Sequence, residues 1–260
     1  MNNCNICKTP QTPIFKGTIL QKHSIQYYQC PNCGFISTEK PFWLEEAYGE
    51  AIADSDTGYV YRNLDFAKRI SRILKQNFNK ESVFLDYGAG YGMFIRLMRD
   101  SGFKFHYYDL YCKNLFAPGL ELPKDHQVSA YTALEVFEHL ENPVEDIEKM
   151  LQHTDTLIFS TLLRKEEYSS IDDWWYFSAE TGQHISIYTE KSLLELAEKF
   201  ELTLYSNGKD MHILSKKKIK WHTMKFDLYR MLFNRFIENR LYFKRPSLMH
   251  EDYLKIKKRR

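Results

Sequence analysis

Two rhythms of apolar and polar positions run along this chain. Between residues 66 and 77, Phe66, Ala67, Ile70, Ile73 and Leu74 recur at helical spacing beside Lys68, Arg69 and Arg72, which predicts an amphipathic helix. Val83, Phe84 and Leu85 then form a short apolar run that ends in Asp86 and enters the alternating-glycine stretch Gly88-Ala89-Gly90-Tyr91-Gly92, ahead of a second helix over 94–99. Residues 103–109 read as another strand, ending in Asp109. Core strands are expected over 128–136 and 156–161, joined by a helix whose apolar face is Val144, Ile147, Met150 and Leu151. A helix is expected over 190–200 with Leu193, Leu194, Ala197 and Phe200 on its apolar side, and two closing strands, 202–205 and 211–214, flank an Asn207-Gly208 turn. This alternation predicts an α/β domain with a Rossmann-like sheet. Residues 111–123 are poorly periodic and contain Pro118, Gly119 and Pro123, so a third strand there is short or displaced.

The glycine turn carries the first chemistry. Three glycines at every second position let a ligand approach the backbone and permit positive φ, so a strand, this turn and a helix together read as a cradle. A dinucleotide fingerprint needs its third glycine at position 93, which is Met. The pattern Asp86-x-Gly88-x-Gly90-x-Gly92 instead resembles the first motif of class I S-adenosylmethionine-dependent methyltransferases. That resemblance implies a seven-stranded sheet, a methionine moiety over Gly88 and Gly90 with Gly92 closing the cradle, and Asp86 near the amino group. Asp109, at a strand end, suits two ribose hydroxyls. Tyr61 and Arg62 fall in a polar segment, 54–63, that reads as a shaped loop. They are candidates to close over the cofactor, against a core aromatic and a solvated cation.

Two further runs carry the resemblance toward the acceptor. Glu135-Val136-Phe137-Glu138-His139-Leu140 resembles a motif after the fourth strand of small-molecule methyltransferases, which implies Glu135 and His139 near the transferred methyl, with Glu138 supporting the turn. His139 is either a proton acceptor or a fastener of the loop through its two nitrogens. Gln183-His184-Ile185-Ser186-Ile187-Tyr188 resembles a block of bacterial methyltransferases that carry an amino-terminal cysteine module and are associated with surface-polysaccharide genes. His184 is the first candidate for catalytic base, a structural hydrogen-bond role being its alternative. Between the runs, Trp174 and Trp175 are a core wedge, a ring platform for a sugar, or a partner surface.

Four of the five cysteines form two CxxC pairs, Cys4/Cys7 and Cys30/Cys33. Such pairs deliver four thiolates to one structural zinc ion, whose binding supplies much of the folding energy of a small hairpin ribbon. An iron site, a redox pair or unrelated thiols are the other readings. With four protein ligands the ion has no open position, so it should not do the chemistry, and Cys112 should not join it.

Charge is unevenly spread. Residues 216–260 hold fifteen Lys or Arg against four Asp or Glu, whereas the rest of the chain holds 21 against 30. Trp221, Met224, Leu228, Met231, Leu232 and Phe236 form an apolar helical stripe within this basic tail, expected to pack on the domain or a second copy. No apolar run of membrane-spanning length and no hydrophobic leader stands out, which points to the cytoplasm. The expected organisation is a zinc-ribbon-like module over 1–40, a linker and cofactor-capping loop over 41–64, a methyltransferase domain over 65–215 and a basic amphipathic helical extension over 216–260. The resemblance implies methyl transfer to a small sugar or glycan precursor. The alternatives are an RNA or protein methyltransferase that docks through the ribbon and tail, and a cofactor-binding module without activity.

Overall fold

The computed structural model describes residues 2–48, 56–123, 126–221 and 254. In chain order its strands and helices are β1 (Thr12–Ile19), β2 (His23–Gln29), β3 (Ile36–Thr38), α1 (Leu44–Ala47), α2 (Tyr59–Asn77), β4 (Val83–Tyr87), α3 (Met93–Asp100), β5 (Lys104–Tyr108), β6 (Ala130–Ala133), α4 (Pro143–Leu151), β7 (Thr156–Ser160), β8 (Ser186–Ile187), α5 (Glu190–Lys199), β9 (Thr203–Ser206) and β10 (Met211–Ser215). Short 3₁₀ turns cover Phe137–His139, Ile171–Asp173 and Trp175–Phe177. The structure divides into two compact units, one of Met1–Ala51 and Lys80–Lys218, the other of Ile52–Asn79 and Ile219–Arg260.

The larger unit holds a six-stranded sheet in the order β5-β4-β6-β7-β10-β9. The first four strands are parallel, and β10 runs antiparallel to both of its neighbours. β6 and β7 are buried at every position, as expected of parallel strands covered on both faces. From β4 the chain passes to β5 on one side, then crosses to β6 on the other. This puts a topological switch point, where open α/β sheets bind ligands, at the carboxyl ends of β4 and β6.

The expected seventh strand is not formed among the described residues. Its place beside β5 is held by one parallel bridge, Tyr107 to Glu121. Pro118 and Pro123 supply no N–H to a ladder, and Gly119 has a φ of 77°, so the segment cannot extend that bridge into a strand.

The second sheet of this unit, β1-β2-β3-β8, gives the cysteine hairpin a core that it shares with later parts of the chain. β8 comes from the Gln183–Tyr188 run, more than 140 residues after β3, and pairs with it through Ile36–Ile187 and Ser37–Ser186. Phe15, Ile19, Ile25, Tyr27 and Trp43 pack in one cluster with Ile171, Tyr176, Phe177 and Ile187. The cysteines join the other core: Cys4, Cys30, Cys33 and Phe35 cluster with Leu85, Phe159, Tyr188 and Leu193. Phe42 to Tyr48, the start of the expected linker, contains α1, and Trp43 donates from its indole nitrogen to the Gly182 carbonyl at 2.8 Å.

In the smaller unit, α2 starts at Tyr59, so residues 59–63 are helical rather than part of a loop. The boundary expected at residue 64 therefore falls inside a helix. Its buried positions are Phe66, Ala67, Ile70, Ile73 and Leu74, the predicted stripe. The tail stripe from Met224 to Phe236 lies outside the described residues. No described helix is long and apolar enough to cross a membrane.

Candidate active site

The glycine turn connects β4 to α3. Gly88, Gly90 and Gly92 have φ values of 68°, 55° and 83°, a region that L side chains enter at a cost. Space adds a second constraint at Gly88, where a Cβ would come within 2.7 Å of Val136 Cγ2. Asp109 ties the turn to the end of β5. Its Oδ2 accepts the Gly90 N–H at 2.8 Å, and its Oδ1 accepts the Tyr111 and Cys112 N–H groups at 2.8 Å each. The Tyr107 hydroxyl donates to the Gly90 carbonyl at 2.9 Å. The cradle is thus held in shape by the chain itself.

Asp86, at the end of the buried run in β4, is only 3% exposed. The Thr132 hydroxyl donates to its Oδ1 at 2.5 Å. Burial pushes its carboxyl up to about 7; the Thr132 hydroxyl acts in the opposite direction, and the charge of Asp109 adds to the rise.

At the end of β6 the chain leaves the sheet through Glu135, whose φ of 55° turns the backbone sharply. That turn ends the strand at Ala133, short of the 128–136 predicted. Ser160 braces it: the Glu135 N–H donates to Ser160 Oγ at 2.7 Å, and that hydroxyl donates to Glu135 Oε1 at 2.6 Å. The 3₁₀ turn that follows carries Glu138 and His139 and is stitched to the β8 run. Ile185 N–H donates to the Glu138 carbonyl at 2.9 Å, Ser186 Oγ to that of Leu140 at 2.6 Å, and the Tyr188 hydroxyl to that of Phe137 at 2.9 Å.

Those bonds bring together two histidines 45 positions apart. Their ring centroids are 5.1 Å apart, with planes at 65°. His184 Nδ1 lies 2.6 Å from the Tyr176 carbonyl, an acceptor only, so Nδ1 carries the proton and Nε2 the lone pair. His139 Nδ1 makes a 2.8 Å hydrogen bond with the Tyr48 hydroxyl. Burial, then the neighbouring His184, holds His139 well below the usual histidine range, and it is neutral at physiological pH. Glu138 is fully buried, neither of its carboxyl oxygens has a hydrogen-bond partner, and burial followed by the charge of Glu135 pushes it up to about 8.

Residues 60–207 match a family described as a methyltransferase domain, over more than half of the chain. The chain belongs to this family. It is a methyltransferase dependent on S-adenosylmethionine. No curated protein matches it. Among solved structures, it is similar to magnesium protoporphyrin IX methyltransferase from Synechocystis PCC 6803 with bound SAH, at 11% identity over 66% of this chain and 93% of that one, with a TM-score of 0.46. An O-methyltransferase family 2 protein from Planctomyces limnophilus DSM 3776 in complex with apigenin is 10% identical over 66% and 65%, with a TM-score of 0.42. The methyltransferase domain of a bacterial Hen1 is 17% identical over 57% and 96%, with a TM-score of 0.38.

In this methyltransferase the four cysteines of the paired motifs converge. Cys4 and Cys33 Sγ atoms are 3.6 Å apart, Cys7 and Cys30 3.4 Å, and Cys7 and Cys33 3.7 Å. Four thiolates tetrahedral about zinc are spaced at about 3.8 Å, from Zn–S bonds of about 2.3 Å. The donor set therefore fits the ion, and Cys112 is not in the cluster. After each pair one residue turns left-handed, Lys8 at a φ of 63° and Gly34 at 73°, and the Cys33 N–H points to Cys30 Sγ at 3.4 Å. Thr189 Oγ1 donates to the Cys33 carbonyl at 2.6 Å, which ties this second knuckle to the start of α5.

Of the remaining candidates, Tyr61 is 68% exposed on the first turn of α2, and Arg62 makes a two-pronged contact with Asp56 at 2.8 and 2.7 Å. The two tryptophans divide: Trp174 stacks on Tyr168 at 5.3 Å and packs against the hairpin core, whereas Trp175 is 74% exposed. Sequence reading gave Glu138 only a supporting role and passed over Tyr48, which contacts His139 and also stacks on Tyr111 at 5.3 Å. The spacing Glu-x-x-Glu-His was the available signal for Glu138; for Tyr48 none existed, because its contact with His139 spans 91 positions.

Proposed function

We propose that this methyltransferase acts on a nucleophilic oxygen, nitrogen or activated carbon of a small sugar or glycan precursor. The observation that carries the reading is the pairing of His184 with His139 at the carboxyl end of β6, next to the glycine cradle through the contact of Gly88 with Val136. The cradle glycines Gly88, Gly90 and Gly92 would receive the methionine part of the cofactor, Asp86 its ammonium group and Asp109 the ribose hydroxyls. When bound, S-adenosylmethionine supplies an electrophilic methyl group on a sulfonium.

His184 Nε2 is the group assigned to take the acceptor's proton, and its bond to the Tyr176 carbonyl fixes that tautomer. His139 and Glu135 shape the same wall. Positioning of the acceptor supplies much of the rate enhancement. Exposed Trp175 offers a ring face to a sugar. A structural zinc ion held by Cys4, Cys7, Cys30 and Cys33 stabilises the sheet whose edge strand follows His184, so the ribbon acts on catalysis through placement.

The reading of RNA or protein as acceptor is favoured by one observation, the fifteen basic residues after position 215. Methyl-labelled S-adenosylmethionine incubated with fractionated metabolites, glycan precursors and RNA separates the two. Label in a sugar-containing fraction is the expected result; label confined to RNA or protein would replace the proposal by that alternative.

A further inference from the structure

Glu138 presents a problem that its own fold does not solve. Its side chain is fully buried and neither carboxyl oxygen makes a hydrogen bond of normal geometry, the Tyr176 and Thr161 hydroxyls only weakly favouring its charged form, an arrangement that asks for a physical reason such as a bound ion. A nitrogen from each of His139 and His184 lies within 4.8 Å of a Glu138 oxygen and of each other. The three side chains come from two runs locked together by the Ile185-to-Glu138 and Ser186-to-Leu140 hydrogen bonds, so the cluster is part of the fold's interior framework.

The outer contacts of the two histidines have the form seen around metal ligands. A ligating imidazole gives its other N–H to a carbonyl, carboxylate or hydroxyl, which sets the tautomer and the ring angle. His184 Nδ1 donates to the Tyr176 carbonyl at 2.6 Å, and His139 Nδ1 faces the Tyr48 hydroxyl at 2.8 Å. The carbonyl leaves the lone pair of His184 on Nε2, and His139 presents Nε2 in the same way when its Nδ1–H donates to the Tyr48 hydroxyl. Glu135, braced by Ser160, adds a second carboxylate to the neighbourhood.

We propose that Glu138, His139 and His184 form a divalent metal site, separate from the cysteine cluster, that takes a first-row transition ion such as Mn²⁺, Fe²⁺ or Zn²⁺. Two imidazoles and one carboxylate are poor donors for Mg²⁺ or Ca²⁺, which prefer oxygen throughout, and three protein ligands leave positions open to substrate. The proposal rests on the methyltransferase reading and deepens it. An acceptor hydroxyl bound at an open position gives up its proton to water more readily. The oxygen then forms its bond to the methyl carbon as the carbon–sulfur bond breaks, and sulfur leaves with the bonding pair as a neutral thioether. In the loaded protein the ion takes over the work of the bare His184 imidazole.

Cobalt tests this without any need for the acceptor. Protein stripped by a chelator and titrated with Co²⁺ should bind two equivalents: one with the intense thiolate charge-transfer absorption of the cysteine cluster, one with weak ligand-field bands alone. Glu138→Gln and His184→Asn should each lose the second equivalent and keep the thiolate band, which also reports that the variants are folded. Tyr48→Phe should weaken the second site about tenfold. A wild-type protein that binds only the thiolate-marked equivalent, or a second equivalent that persists unchanged in both variants, overturns the site. Cofactor affinity, titrated separately, distinguishes the two levels: cofactor binding with one cobalt removes the metal site alone, whereas two cobalt ions without cofactor binding support the metal site and remove the methyltransferase reading.

Discussion

At the glycine turn and at the end of β6, polar groups are handled in opposite ways. Asp109 has three backbone N–H donors on its two oxygens, and the turn it holds is further pinned by the Tyr107 hydroxyl. Glu138, on the neighbouring strand's exit, is buried without a hydrogen bond of normal geometry, the Tyr176 and Thr161 hydroxyls only weakly favouring its charge. A cradle satisfied from within keeps its shape before the ligand arrives, which lowers the cost of ordering on binding. An unsatisfied carboxyl beside two oriented imidazoles stores its interaction for a partner from outside. Under the proposed function, one end of this site is the one that recognises and the other the one that reacts.

The largest effect that would break this comparison is expected at His184. His184→Ala should lower turnover by about 10²- to 10⁴-fold, the usual worth of a proton-handling group, while cofactor affinity and the metal content of the cysteine cluster hold. Steady-state rates at saturating substrates, with calorimetry and metal analysis beside them, check this; turnover near wild type would move the reactive end away from His184. Next in size is Asp109→Ala. Loss of the carboxylate frees the Gly90 N–H and removes the ribose acceptors, for an expected loss of about 10- to 100-fold in cofactor affinity. An unchanged dissociation constant in a folded variant would show that the cradle does not depend on its brace.

A smaller effect sharpens the comparison through pH. Asp86 in the folded protein is pushed up to about 7 by burial, from an ordinary value of 3.8. A carboxyl whose folded pKa is raised favours the folded state when protonated, so this group's contribution to ligand-free stability should be greatest in acid. It should fall as pH rises from about 4 to 7, by up to about 4 kcal/mol from this group. Glu138, pushed up to about 8, extends the decline by another unit. Asp86→Asn and Glu138→Gln should each flatten part of this dependence in thermal melts over that range. If Asp86 holds the cofactor's ammonium as proposed, ionised Asp86 is the binding form, so wild-type affinity should also rise between pH 6 and 8 and the rise should vanish in Asp86→Asn. A pH-independent affinity in the wild type would place the ammonium elsewhere.

Local pattern made much of this protein legible. The stripe of α2, the buried run of β4, the glycine turn and the antiparallel closing pair each lie within about twenty residues and announce themselves by period or by turn chemistry. The paired cysteines were legible for the same reason: two residues between the thiols of each pair set a spacing that brings them together. What sequence could not show is contact across long separations. β8 joins the cysteine hairpin's sheet from beyond position 180, so the ribbon expected to stand apart over 1–40 shares its core with residues 171–187. The stitching of Phe137, Glu138 and Leu140 to Ile185, Ser186 and Tyr188 is what pairs the two histidines. Neither motif contains that information alone. The reduction of the third strand to the single bridge from Tyr107 to Glu121 among the described residues was foreshadowed by its prolines, while the burial of Glu138 had no local mark.

Titration of S-adenosylmethionine into the wild type, Gly90→Val and Glu138→Gln tests the division between recognition and reaction most directly. Position 90 has a φ of 55°, which a β-branched residue strongly resists, so Gly90→Val should show no measurable binding. Wild type and Glu138→Gln should each bind one equivalent with the same affinity. Binding by folded Gly90→Val at wild-type strength, or loss of the cofactor from folded Glu138→Gln, would contradict the account.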